Sequence, residues 1–202
     1  RWRGGIQDTV SLEILYFIFY SYFLGSIPFG LIITKFFLNK DLRNVGSGNI
    51  GATNVLRAGK KFLGALTLLL DTLKAYIAIT ITYKYFTDYI YLSALLCFLG
   101  HIFPIWLNFK GGKGIAVFLG VLLALSINYG IIFVVCWAVI LYLTKYSSVS
   151  SLISTGIIFF YSIYFNNSAE SIFFFIIFII TIYTHRENIV RLKNKTENKI
   201  NF

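Results

Sequence analysis

Four stretches of the 202-residue chain carry side chains suited to holding anions: DLRNVGSGNIGATNVLR at 41–57, NFKGGKG at 108–114, TKYSSVSS at 144–151 and HRENIVRL at 185–192. Each sets Lys or Arg among Gly, Ser, Asn or His. Basic residues alone would serve membrane topology. Their company of flexible backbone and short polar side chains is what phosphate recognition needs.

Within the first stretch, Gly46, Gly48 and Gly51 spell G-x-G-x-x-G, and Asp71 lies at about the ~20-residue spacing of a dinucleotide fingerprint. That reading requires a strand before the glycines and a βαβ unit around them; a charged loop precedes them and a transmembrane run follows. What remains is the local physics. Ser47 or Asn49 is expected to cap a short helix over 50–56, with Arg57 one to two turns on. Lys110-Gly111-Gly112-Lys113-Gly114 likewise precedes an apolar helix, offering backbone donors and ammonium groups at its start. It is not a nucleotide-triphosphate loop: Gly114 follows Lys113 where Ser or Thr is required, and position 107 is Leu.

His185, Asn188 and Arg191 are spaced to share one helical face, a ligand-binding grouping. His101, in GHIFP, is equally a hydrogen-bonded packing residue or a catalyst. No metal site is expected at either histidine. Asp71 and Lys74 fall three apart inside an apolar run and read as a structural ion pair behind the site. Cys97 and Cys136 read as packing residues, as does Trp137, and Trp106 as an interfacial anchor.

The elements holding these clusters are set by composition. With 57% hydrophobic and 13% charged residues and a mean hydropathy of +0.76, the chain lies outside the globular range. The net charge of +10 does not imply nucleic acid, because the basic residues sit between apolar runs rather than on one polar face. Seven runs are marked, at about 12–36, 62–83, 88–107, 114–127, 130–144, 149–165 and 171–184, the fourth, fifth and seventh shorter than the ~20 residues a span needs. A turn is expected at Asn128-Tyr129-Gly130. The fold class is therefore an all-α integral membrane bundle of seven transmembrane helices. Basic residues concentrate in alternate connections, which predicts an outside N-terminus and a cytoplasmic C-terminus and gathers the four clusters on the cytoplasmic side. Residues 1–11 read as a polar extension, 12–192 as the membrane domain and 193–202 as a basic cytoplasmic tail.

GSIPFG at 25–30, the 41–57 stretch, LDTLKA at 70–75, GHIFPIWLNFKGGKG at 100–114 and HRENIVRL at 185–192 together resemble the bacterial acyl-phosphate-dependent glycerol-3-phosphate acyltransferases, the PlsY family. The resemblance runs from about Leu12 to Ile200. It implies an inner-membrane enzyme that moves a fatty acyl group from acyl phosphate to the 1-hydroxyl of glycerol 3-phosphate, giving lysophosphatidic acid and phosphate, in contact with membrane lipids. No cofactor, metal or nucleic acid is expected, and a monomer is expected to suffice. By motif, the implied catalytic residues are Ser47, Arg57, Lys113, His185 and Asn188. The substrate-binding set comprises Arg43, Gly46, Gly48, Asn49, Asn54, His101, Lys110, Gly111, Gly112, Gly114, Ser148, Ser151 and Arg191. Ser151 is preferred over Ser148, since extra serines blur the family's pattern there. Lys195 replaces a family glycine before Thr196-Glu197, which leaves Glu197 reading as a solvated tail residue.

Acyl phosphate is a mixed anhydride with a good leaving group, so no covalent acyl-enzyme is required. The demands are to hold two anions together and to stabilise developing charge. The hydroxyl proton has three candidate acceptors, His185, His101 and a phosphate oxygen of the donor, and the phosphate is favoured because no Ser-His-Asp grouping is evident. The H-x-x-x-x-D acyltransferase signature is absent, as Trp106 and Val190 occupy the fifth positions after the histidines. The rival class, an organic-phosphate transporter, is disfavoured by the lack of an inverted repeat and by cationic clusters on one side only.

Overall fold

A computed structural model describes residues 4–165 and 168–200, with side chains from Leu15 onward. Every regular element among them is helical: α1 (Gly4–Ser26), α2 (Phe29–Leu38), α3 (Ala52–Arg57), α4 (Lys61–Tyr85), α5 (Ile90–Ile102), α6 (Ile115–Leu125), α7 (Ile127–Thr144), α8 (Ser147–Tyr164), α9 (Ser168–Thr184) and α10 (Arg186–Lys193). Residues 4–11, expected as a separate extension, are part of α1, and residues 1–3 lie outside the described range.

Pro28 separates α1 from α2, because it has no N–H to continue the ladder and disfavours helical backbone at Ile27. The two still form one apolar stretch, Leu15–Leu38. Lys61–Tyr85, Thr87–Leu107, Ile127–Thr144 and Ser147–Tyr164 are also long and apolar enough to cross a bilayer, and α9 with α10, bent by 56°, makes a sixth. Of the two remaining helices, α3 has 6 residues and α6 has 11, the latter about 16 Å of helix against a hydrocarbon core of about 30 Å. Among the described residues, five to six stretches are thus long and apolar enough to cross by themselves, where the sequence leads one to expect seven spans.

The α6–α7 break also moves. Ser126 alone is extended, and its Oγ accepts from the Asn128 N–H at 3.3 Å, so Asn128, Tyr129 and Gly130 begin α7 instead of forming a turn. Serine is a better helix cap than any residue of the triplet except Asn128. Gly130 serves packing, since a methyl there would overlap the Leu123 side chain.

In lipid, helices gain little from burying apolar surface against each other, and close approach of small residues and interhelical hydrogen bonds do more. Both occur here. A methyl at Gly25 would overlap the Cys97 carbonyl and one at Gly100 the Tyr22 carbonyl, so α1 and α5 meet backbone to backbone. Ser21 Oγ and Thr82 Oγ1 each lie 2.7 Å from Ser93 Oγ, tying α1, α4 and α5. The main core is formed by Ala75, Ile79, Cys97, Phe98, Phe118, Val121, Ile158, Phe174 and Ile177. A smaller cluster, Ile33, Leu42, Ile50, Val55 and Leu63, anchors the 41–57 loop onto α2 and α4.

Candidate functional site

The 41–57 loop is built around Asn54, which is 2% exposed. Its amide donates to the carbonyls of Leu42, Val45 and Asn49 and accepts from the Ser47 N–H at 3.0 Å. Asn54 is therefore an organiser of the loop, its polar atoms committed to backbone. Gly46 and Gly48, at φ 57° and 69°, supply the left-handed turns that L side chains rarely adopt. The helix start differs from expectation: Gly51 occupies the cap position, no side chain caps α3, and Asn49 Oδ1 instead accepts from the Gly51 N–H. Ser47 is left with its hydroxyl unpartnered among the described residues, facing the cavity described below. Arg43 lies at the rim, paired with Asp41 at 2.6 Å, which holds the Asp41 carboxyl down at about 2.

Arg57, the last residue of α3, donates to the Asn198 carbonyl at 3.2 Å. Burial pushes its guanidinium below the ordinary value, with Glu197 opposing. In the 110–114 loop, Gly111 N–H donates to Ile102 O and Gly112 N–H to His101 O, which folds the loop back over the end of α5. Gly114, at φ 84°, then starts α6. Lys113 emerges from this turn and donates to Asn188 Oδ1. Its burial, reinforced by Arg191, lowers the ammonium from 10.5 to about 8.

Around α10, Glu197 is the hub. Its Oε1 accepts from Ser148 at 2.9 Å and Asn188 at 2.6 Å, and its Oε2 from Arg191 Nε at 2.7 Å. These bonds lower its carboxyl although burial alone would raise it. The tail is thus no solvated appendage: it turns at Lys195, at φ 59°, and runs back until the Ile200 N–H reaches the Lys145 carbonyl at 2.8 Å. Lysine takes up here the left-handed conformation that a glycine would adopt without cost.

His185 Nδ1 lies 2.9 Å from the Thr181 carbonyl, which can only accept, so the ring proton sits on Nδ1 and Nε2 is an acceptor. Burial lowers this imidazole to about 4, with Lys113 adding to the effect.

These groups meet in one cavity of about 490 Å³. Its polar end holds Ser47, Arg57, Lys113, Ser148, His185, Asn188 and Glu197, and its apolar wall runs through Leu68, Leu119, Phe133, Val134, Trp137 and Leu141. Asn49, Asn54, His101, Gly114 and Ser151 also line it. A smaller adjoining recess of about 250 Å³ collects Arg43, Gly48, Lys110, Gly111, Glu187 and Arg191 and shares Ser47, Asn49 and Lys113. Gly46 and Gly112 line neither and act as supports. Ser148 joins the Glu197 network, whereas Ser151 accepts from Trp137 Nε1 at 3.2 Å and donates to the Ser147 carbonyl. Sequence reasoning missed Glu197 and the contribution of Trp137 to the wall. The signal for Glu197 was the Thr196-Glu197 pair following α10.

A pocket that sets Arg57 and Lys113 beside an apolar wall, in a bundle of apolar helices, defines a multi-pass membrane protein whose cavity combines anion-binding and apolar surfaces. The family model described as glycerol-3-phosphate acyltransferase matches residues 15–195. Among curated relatives, the glycerol-3-phosphate acyltransferase of Pelagibacter ubique is 53% identical over 188 residues, covering 93% of this chain and 98% of the relative. That of Brucella anthropi is 44% identical over 191 residues, with 95% of each chain covered. The crystal structure of PlsY, an integral membrane glycerol 3-phosphate acyltransferase, in its glycerol 3-phosphate form superposes with a TM-score of 0.87 at 38% identity, covering 93% of this chain and 95% of that one. Its lysophosphatidic acid form gives 0.84 at 36%. The chain belongs to the glycerol-3-phosphate acyltransferase family, of PlsY type.

Proposed function

We propose that the protein transfers a fatty acyl group from acyl phosphate to the 1-hydroxyl of sn-glycerol 3-phosphate, releasing phosphate and 1-acylglycerol 3-phosphate. The observation that carries this reading is the continuity of the cationic pocket with the apolar wall, which suits a lipid chain ending in a phosphoryl group. Solved relatives in glycerol 3-phosphate and lysophosphatidic acid forms support the acceptor and the product.

Two unit negative charges about 4 Å apart repel by about 4 kcal/mol at an effective dielectric of 20. Arg57 and Lys113 offset this repulsion, and the Ser47 hydroxyl adds a neutral donor. Asn188 aims Lys113, while Glu197 holds Asn188, Arg191 and Ser148 in register. The acceptor hydroxyl attacks the acyl carbonyl carbon, the carbon–oxygen bond to phosphate breaks, and the hydroxyl proton passes to an oxygen of the departing phosphate. His185 has an acceptor nitrogen but, held near 4, is a weak base, which favours the phosphate for that task.

The topology that fits is seven segments. The α6–α7 hairpin begins at Gly114 and ends at Lys145, both beside the cavity, so it enters and leaves the membrane on the same side. With basic connections facing the cytoplasm, the N-terminus is outside and the site opens to the cytoplasmic face of a bacterial inner membrane. Purified protein in detergent, given acyl phosphate and glycerol 3-phosphate, is expected to release phosphate and form 1-acylglycerol 3-phosphate only when both are present. A folded sample that forms none refutes the reading.

A further inference from the structure

Behind the cationic pocket, Lys74 of α4 sits 2.7 Å from Asp71 Oδ1, 2.6 Å from the Ile27 carbonyl and 3.0 Å from His101 Nδ1. Lys74 and Asp71 are 3% and 1% exposed. The Ile27 carbonyl lies at the Pro28 break, where it accepts from the Phe29 N–H at 3.2 Å and also from the Lys74 ammonium. An ammonium has three donors and no acceptor. Paired with a carboxylate on one side, it therefore presents a proton to Nδ1, and a ring proton on Nδ1 would face it head on. Nδ1 must accept, and in a neutral imidazole the ring proton then resides on Nε2.

His101 Nε2 has no hydrogen-bond partner among the described residues. Nor does it belong to the sealed polar atoms without a hydrogen bond, which among the described residues are Ser154 Oγ, Thr181 Oγ1 and Asp71 Oδ1, the last held by its ion pair with Lys74. It retains access, and His101 lines the cavity. The Nε2 edge lies against Gly112, where a methyl would overlap it, one residue before Lys113. We infer that the Asp71–Lys74 pair locks His101 in the Nε2–H tautomer, so that His101 serves as a neutral hydrogen-bond donor to a phosphoryl oxygen bound in the cavity. It is the counterpart of His185, whose contact with the Thr181 carbonyl fixes the opposite tautomer. The two histidines thus divide the roles, one donating into the site and one accepting. This assignment rests on the acyl-transfer reading for the identity of its ligand, but not for the tautomer.

The chain has only two histidines, which makes the tautomer directly observable. In protein labelled with 15N-histidine and held in detergent, with His185→Gln used for assignment, His101 is expected to show a protonated Nε2 and an unprotonated Nδ1 at neutral pH. An Nδ1–H form or an imidazolium overturns the inference, whether or not any variant folds. Three substitutions then test the contact. His101→Gln keeps an amide N–H near the Nε2 position and should stay within about threefold of the parent in kcat/KM. His101→Asn keeps an acceptor for Lys74 near the Nδ1 position and should unfold at a similar temperature, yet lose roughly 10- to 100-fold in kcat/KM, as should His101→Phe. A rise confined to the KM for glycerol 3-phosphate identifies the acceptor's phosphate as the partner; a loss confined to kcat and the KM for acyl phosphate identifies the donor's. Equal activity in Gln, Asn and Phe variants refutes the contact while leaving acyl transfer intact, whereas a parent protein without transfer refutes the functional reading and not the tautomer.

Discussion

Raising the pH should switch off the cation at the centre of the site. Burial holds the Lys113 ammonium at about 8 instead of 10.5, and the neighbouring Arg191 works in the same direction. Because the charged form is the protonated one, the cation is present below that value and lost above it. At pH 7 about nine-tenths of the free enzyme carries it, and at pH 9 about one-tenth does. The kcat/KM for glycerol 3-phosphate should therefore fall by about tenfold per pH unit above about 8. A bound phosphate favours the ammonium, so the corresponding limb in kcat, which reports the complex, should lie at higher pH. The assay is steady-state phosphate release from detergent-solubilised protein across about pH 6.5 to 10. In Lys113→Arg, whose guanidinium stays charged throughout, the limb should disappear even if overall activity drops. A wild-type profile flat to about pH 10, or a limb that persists unchanged in Lys113→Arg, would refute the assignment of this cation to anion binding.

Three further outcomes follow from the geometry. Arg57→Lys should lower kcat/KM by about tenfold or more, because one ammonium cannot reach the Asn198 carbonyl and a phosphoryl oxygen together as a planar fork can; unchanged kinetics would show that only the charge matters. Glu197→Gln removes the carboxylate shared by Ser148, Asn188 and Arg191, and should cost about 1.5–3 kcal/mol of stability, read by thermal unfolding, together with a higher KM for glycerol 3-phosphate. Gly25→Ala drives a methyl into the Cys97 carbonyl and should destabilise the α1–α5 contact by about 1–3 kcal/mol, with kcat little changed in the surviving folded fraction.

What was legible in the sequence follows local rules. Apolar runs gave the helices, and the spacing of His185, Asn188 and Arg191 gave a shared polar surface, because both are properties of a few consecutive turns. The Asp71–Lys74 pair was legible for the same reason, and the structure adds its link to His101 across helices. Glu197 was not, since its importance arises only when the chain turns at Lys195 and brings the tail back onto α8 and α10. Asn54 resembled a ligand residue by type, and only the folded loop reveals that its amide is committed to backbone carbonyls. The α6–α7 break was misplaced by two residues because Asn-Tyr-Gly carries turn propensity, whereas the cap at Ser126 and the packing of Gly130 on Leu123 decide the geometry. Trp137 looked like packing and does pack, but on the wall of the cavity with its N–H directed to Ser151.

Direct transfer between two substrates held side by side makes a sharp kinetic demand. Rapid-quench single turnover with acyl-labelled acyl phosphate and excess enzyme should release no burst of phosphate and leave no label on the protein until glycerol 3-phosphate is added. Phosphate and labelled 1-acylglycerol 3-phosphate should then appear together, one for one. A stoichiometric phosphate burst without glycerol 3-phosphate, with the acyl label retained on the chain, would contradict the account.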